Sequence, residues 1–222
     1  MENITAVFTS CGRWDLLERT LTSFINTVSS PDIKYIVIDN STLATANDEI
    51  NKILDKNKTK GQVIINETNI GQVSSIDKAY SFVKTDYIFH SEDDWFYTGS
   101  NYLEQSLDVL CSVPQIVNVN IRARFDGEKG GDAPIGPLLQ TSKGTKYHLY
   151  ELNYLNMWHG FSWNPGLRKT LDYNIIGRSY KKIGQEQHVG QVYKDLGYRA
   201  ACLEGQYAKH IGTNSSTPLS NQ

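Results

Sequence analysis

Four short β-branched runs, interleaved with amphipathic stripes, set the strictest limit on how this chain can fold. The runs are Ile4–Thr9 (ITAVFT), Tyr35–Asp39 (YIVID), Gln62–Asn66 (QVIIN) and Asp86–His90 (DYIFH). Between them Leu17, Leu21, Phe24, Ile25 and Val28 repeat at helical spacing. A second helix is predicted over roughly Ala46–Leu54, and Val73, Ile76, Tyr80 and Val83 form a third stripe. Parallel neighbours need a crossover, and a helix between strands supplies it. YIVID is apolar without alternation, the pattern of a strand covered on both faces. The predicted fold class is α/β, an open Rossmann-like sheet flanked by helices.

The second half is less regular. Leu103, Leu107 and Leu110 predict a helix that starts after a Ser100 cap, and Ile116–Ile121 (IVNVNI) alternates as a half-buried strand. Phe125–Pro137 (FDGEKGGDAPIGP) is broken by Gly and Pro and reads as a mobile loop. YHLYEL reads as a strand and WHGFSWNPG as irregular. Val189, Val192, Tyr193 and Leu196 predict a last helix, and a polar tail follows. There is no repeat and no clean linker, so a single domain over 1–222 is expected.

The net charge of −2 gives no electrostatic case for nucleic acid as a partner. The chain has no apolar run long enough for a membrane span. Its first residues, MENITAVFTS, lack the pattern of a secretory signal, so a cytoplasmic protein is expected. Cys11, Cys111 and Cys202 are widely spaced and match neither a zinc nor a redox pattern.

The feature that points to chemistry is DYIFHSEDDWFY, where an apolar strand ends in Glu92, Asp93 and Asp94. Adjacent carboxylates repel, and a buried strand end desolvates them. They read as a helix cap, as a solvated turn, or as a divalent-cation site. Carboxylate oxygens suit Mg²⁺ or Mn²⁺, which water and substrate phosphates complete. The carboxyl end of a central strand is where open α/β sheets bind ligands. No G-x-G-x-x-G and no G-x-x-x-x-G-K-[ST] is present, so a diphosphate bound here needs a cation in place of a phosphate-cradling loop.

The order of motifs resembles glycosyltransferases of the family 2 type with the GT-A fold. VFTSCGRWDLLERTLTSFI is similar to their opening strand, loop and helix. YIVIDNST is similar to their second strand, NETNIGQVSSIDKAY to their N-x-G turn and helix, and HSEDDW to their D-x-D-type motif. IGQEQHVGQVYKDLGYRAACLE resembles the acidic motif, and AKHIGTNSS the late histidine. The resemblance implies an open mixed sheet, with a nucleotide-sugar half over 1–97, an acceptor and catalytic half over 98–212, and the tail 213–222. It implies Mn²⁺ or Mg²⁺, with Asp94 as main ligand and His210 completing the shell. Thr9, Arg13, Asp39, Asn69, Gly71 and Asp93 would bind the donor, with Asp39 on the base and Asp93 or Glu92 near ribose or metal-bound water. Glu186 would be the catalytic base. An acid in the first turn of a helix also arises simply because it complements the helix dipole.

Trp158, Trp163 and Trp95 are candidates to stack on sugar faces, although an aromatic cluster also reads as core. Arg13 and Arg168 are candidates to reach the diphosphate. Two positions depart from the family pattern: Asn40 stands where a second acid often ends strand two, and Asp77 where an Asn is usual. The function expected is a metal-dependent, inverting transfer from a nucleotide-diphosphate sugar, UDP-sugar favoured, to an acceptor hydroxyl on a glycan, lipid or protein. A sugar-phosphate nucleotidyltransferase and an inactive sugar- or nucleotide-binding domain are the rivals.

Overall fold

Ile4–Ser10 (β1) is buried along its whole length because it is enclosed on every side. Lys34–Asp39 (β2) and Tyr87–Glu92 (β4) flank it in parallel, and Gly61–Ile65 (β3) continues the parallel order beyond β2. The computed structural model describes residues 3–28, 32–122, 135–152 and 160–212.

The crossovers are Trp14–Thr27 (α1), Ala46–Lys56 (α2) and Gln72–Ser81 (α3). Leu17, Leu21 and Phe24 of α1, with Ile50, Ile53 and Leu54 of α2, pack on the side chains of Ala6, Phe8, Val37 and Phe89. Ile76, Ala79 and Tyr80 of α3 cover the opposite face with Val7, Ile36, Ile38 and Ile88. Each of the leucine, isoleucine, valine and phenylalanine side chains among them, fully buried, contributes about 1.5–3 kcal/mol.

After Trp95–Tyr97 (β5) and Tyr102–Ser112 (α4), the chain adds Ile116–Asn120 (β6), Leu139–Gln140 (β7), Lys146–Leu149 (β8) and Gly166–Lys169 (β9). Thr170–Ile175 (α5), Glu186–Asp195 (α6), Arg199–Leu203 (β10) and Ala208–His210 (β11) complete it. The main sheet runs β3-β2-β1-β4-β9-β6-β10-β8-β7, with β9 antiparallel to both β4 and β6. Strands from both halves of the chain share this one mixed sheet, so the halves form a single α/β domain.

Several local expectations are corrected. The segment read as irregular contains β9, whose central place follows from Leu167 and Arg168 being buried between β4 and β6. β6 is buried throughout rather than on alternate residues, because β9 and β10 flank it and both of its faces are covered. Its Asn118 and Asn120 side chains hydrogen-bond each other at 2.8 Å. Asn101, in the left-handed region at φ 64°, stands at the start of α4 in place of Ser100 and makes no side-chain cap. α6 ends at Asp195, and Leu196 is 52% exposed.

A small second sheet, β5 with β11, matters most for function. It pairs Trp95 with His210 and Tyr97 with Ala208. The other edge of β5 is held by α1. The Thr20 hydroxyl donates to the Asp93 carbonyl at 2.7 Å and accepts from the Trp95 N–H at 3.0 Å. Ser23 Oγ accepts from the Tyr97 N–H at 3.0 Å. Two hydroxyls three residues apart on a buried helix face thus satisfy alternate strand N–H groups that have no strand partner on that side. Thr20→Val keeps the shape and strands both backbone groups. It is expected to lower the unfolding free energy by about 1–3 kcal/mol in urea titrations. A loss indistinguishable from zero would show that this bridge does not hold the turn.

Candidate active site

Parallel register brings the carboxyl ends of β1, β2 and β4 to one edge: Ser10 pairs with Asp39, and Thr9 with Glu92. The acidic turn follows directly. Asp93 is fully buried and accepts from Ser10 Oγ at 2.9 Å and from Arg13 Nε at 3.3 Å, with a closer ion pair to Arg13 Nη2. Arg13 Nη2 also lies 2.9 Å from Asp94 Oδ2, and His210 Nε2 meets that same oxygen at 3.2 Å. The positive group that a buried acidic turn demands is therefore Arg13, with the His210 ring beside it. Burial pushes Asp93 up to about 6 despite Arg13, with Asp94 adding to the rise. Burial also raises Glu92 to about 7, helped by Asp94 and Glu186. The turn is under-neutralised.

The return of the chain through β11 passes hard against Asp94. Ile211 N–H donates to the Asp94 carbonyl at 2.8 Å, and a Cβ on Gly212 would stand 2.5 Å from Asp94 Oδ2. Only glycine fits there, which gives the HIG stretch a physical reason.

Thr9, Ser10, Arg13, Asn69, Gly71 and Asp93 line one cleft of about 360 Å³, together with Asn40, Gln72 and Glu92. Asp39 lies beneath it, fully buried, with both oxygens engaged. Gly12 N–H (3.0 Å) and the Trp14 indole (3.3 Å) reach Oδ2, and Ser41 N–H (2.8 Å) and its hydroxyl reach Oδ1. In this arrangement Asp39 braces the β1–α1 loop, where Gly12 sits at φ +73° and an added Cβ would stand 3.1 Å from Ser41 Cβ.

Asn40 explains its own departure from an acid. It donates to Asn69 Oδ1 at 2.6 Å and accepts from Asn66 at 2.9 Å and from the Ile70 N–H at 3.0 Å. A carboxylate cannot donate, so an Asp here would lose the bond to Asn69. Asp77 points the other way. It accepts from Tyr173 Oη, Ser179 Oγ, and the N–H groups of Tyr180 and Lys181 at 2.8–3.0 Å, tying α3 to α5 and the segment after it. Four donors suit a carboxylate better than an amide, which has one acceptor oxygen.

A second cleft of about 410 Å³ shares Gln72 and Glu92 with the first and holds Glu186, Trp163 and Asn164. Gln72 Nε2 donates to Glu92 Oε1 at 2.5 Å. Glu186 is the first residue of α6, and its Oε1 accepts the Trp163 N–H. The proposed donor residues and the proposed base thus open onto adjoining clefts.

A model of the family described as glycosyl transferase family 2 matches residues 5–175. The chain belongs to that family. Solved glycosyltransferases share the fold. The mannosyltransferase PcManGT from Pyrobaculum calidifontis, in complex with GDP-Man and Mn²⁺, superposes with a TM-score of 0.68 at 10% identity, over 97% of this chain and 59% of that one. TarS 1-349 from S. aureus in complex with UDP-GlcNAc gives 0.66 at 13%, over 100% of this chain and 62% of that one. Its complex with UDP gives 0.66 at 12%, over 94% and 60%. The chain spans less than two thirds of the length of these neighbours. No curated protein matches it in sequence. The GT-A fold expected from the motif order is the fold found.

The remaining candidates fall differently. Trp95 is 1% exposed, with His210 packed at 5.0 Å and Arg122 over its ring at 5.5 Å, so its faces are closed to a sugar. Trp163 lines the second cleft but is buried against Phe161 and Tyr180. Arg168 is 1% exposed, with its guanidinium over Phe161 at 5.6 Å, and does not line the donor cleft. β9 turns it into the aromatic cluster under α3 and α6, away from any diphosphate. Trp158, residues 123–134 of the glycine-rich loop and the tail 213–222 lie outside the described residues. Thr20, Ser23, Ser10 and Gln72 had no predicted role, and only the hydroxyl pair 20/23 on a buried face offered a signal.

Whether Asp39 is brace or base reader can be decided. Asp39→Ala leaves the donors of Gly12, Ser41 and Trp14 without their acceptor. The expected result is a stability loss of at least about 3 kcal/mol, at about 1–3 kcal/mol per stranded buried donor, measured without nucleotide. Unchanged stability with weakened nucleotide affinity would make it a base reader only.

Proposed function

We propose that the chain is a metal-dependent, inverting glycosyltransferase. It moves a sugar from a nucleotide-diphosphate donor, with UDP-sugar favoured, to an acceptor hydroxyl. The observation that carries this is the pair of clefts joined at Gln72 and Glu92, with Asp93 and Arg13 lining one, Asp94 paired to that Arg13, and Glu186 at the other. The neighbours solved with GDP-Man and Mn²⁺ or with UDP-GlcNAc support a nucleotide-sugar donor for this fold.

The acidic turn fits a divalent cation. Asp94 Oδ1 is buried and has no hydrogen-bond partner among the described residues, and His210 stands beside the same carboxylate. Among the described residues no three His, Cys, Asp or Glu side chains gather as a ready-made site. Two protein ligands suit Mg²⁺ or Mn²⁺, which keep water and take phosphate oxygens. When bound, the cation would neutralise the leaving diphosphate as a Lewis acid. Asn69, Gly71 and Thr9 shape the donor cleft, and Asp39 holds the loop that carries Arg13. Glu186 takes the acceptor proton. The Trp163 N–H fixes its position. A base on the face of the sugar opposite the leaving group inverts the anomeric centre.

Release of free nucleotide diphosphate from donor plus acceptor separates this reading from a nucleotidyltransferase and from an inactive domain. Asp94→Asn is expected to stay folded and lose Mn²⁺-dependent thermal stabilisation by UDP. Full Mn²⁺-dependent stabilisation in that variant would remove Asp94 from the metal site. Glu186→Gln is expected to keep donor affinity and cut transfer by about 10²–10⁴-fold. NMR of the product linkage should show the configuration opposite to the donor; retention would overturn the mechanism, and an active Glu186→Gln would move the base elsewhere.

A further inference from the structure

The cation and Arg13 both call on the Asp94 carboxylate, the cation through the unpartnered Oδ1 and Arg13 through Oδ2. Arg13 Nη2 sits 2.9 Å from Asp94 Oδ2, an oxygen that already has His210 at 3.2 Å. Asp93, by contrast, keeps Ser10 as a partner independent of Arg13. The Arg13 side chain is 20% exposed and lines the donor cleft with Asn69 and Gly71. Its planar fork matches phosphate oxygens as well as it matches a carboxylate.

We propose that Arg13 is a resident counter-ion of the acidic turn that moves from Asp94 to the donor diphosphate when the divalent cation takes Asp94. This rests on the metal reading given above. It follows that neither ligand binds well alone. Without nucleotide, a cation meets a carboxylate already neutralised by a fixed positive charge, and two like charges on one carboxylate repel. Without a cation, turning Arg13 to a diphosphate would leave Asp94 without its guanidinium. Together, each frees the partner of the other, and by linkage the coupling is reciprocal. The consequence is ordered chemistry: the turn does not collect free cations and fills only when a donor arrives with one.

The test is Mn²⁺ binding to the full chain, read by the electron paramagnetic resonance signal of free aqueous Mn²⁺, with no nucleotide, with UDP and with GDP. In wild type, binding without nucleotide should be weak and should tighten with UDP or GDP. In Arg13→Gln, Mn²⁺ alone should bind about tenfold tighter, and the gain from nucleotide should shrink by about the same factor, within the usual range of coupling between sites. Arg13→Lys keeps the charge, so its Mn²⁺ affinity without nucleotide should stay at the wild-type level. Unchanged or weaker Mn²⁺ binding in Arg13→Gln overturns the exchange, as does equal tightening in Arg13→Lys. Asp94→Asn separates the two levels of the argument. If it abolishes Mn²⁺ binding while Arg13→Gln fails to tighten it, the metal site stands and the exchange falls. If Mn²⁺ binding survives Asp94→Asn, the metal reading itself fails and the exchange falls with it.

Discussion

Burying Asp93 is the constraint on which the site depends. An ionised carboxylate taken out of water costs several kcal/mol unless it is paired and hydrogen-bonded. Here its side chain draws in Ser10 from the end of β1 and Arg13 from the loop that follows, while its carbonyl takes the Thr20 hydroxyl of α1. Three elements are thereby fixed to one residue. The neighbours of Asp93 have little freedom left: Glu92 is aimed at Gln72, and Asp94 at Arg13 and His210. The spread of the triplet into distinct roles follows from where its middle member is pinned.

The parallel half of the sheet was legible because its signals are local. β-branched runs such as YIVID and stripes such as Leu17–Leu21–Phe24 report burial residue by residue, and the structure places them in β2 and α1. β9 was not legible for the opposite reason. GLRK follows a Pro, carries two charges, and is a strand only because β4 and β6 lie on either side. Arg168 in particular reads as a surface charge. Its burial depends on Phe161, Tyr80, Tyr180 and Tyr193 converging from distant stretches, with the ring of Phe161 in cation–π range. His90 shares that environment, and burial with the nearby Arg168 holds it well below the ordinary histidine range.

The site was half legible. Clustered acids and an N-x-G turn can be seen in a string of letters. The side on which a carboxylate spends its lone pairs cannot. Asp39, expected on the base, and Asp77, which stands where an Asn is usual, each have four donors from their own chain. Asn40 looks like a weakened acid and is instead matched to its neighbours, since its place requires one group to donate and another to accept. At these positions the choice between acid and amide is dictated by the polarity of the surrounding hydrogen bonds.

The site also depends on the chain returning to where it began. His210, Gly212 and Glu186 come from the last quarter of the sequence, while Arg13 and Asp93 come from its first half. β10 and β11 carry the late segment back: β10 pairs with β6 inside the main sheet, and β11 pairs with β5 beside the acidic turn. Such non-local pairings must offset the entropy of closing long loops before they stabilise anything. Thr20 and Ser23 hold the other edge of β5, so β11 pairs with a strand that α1 also fixes. The glycine at 212 then allows the returning backbone to come within contact of Asp94, where a side chain would push the carboxylate away from both Arg13 and His210. Assembly of the acidic turn and return of the late histidine are thus one structural event, joined through the two-stranded sheet.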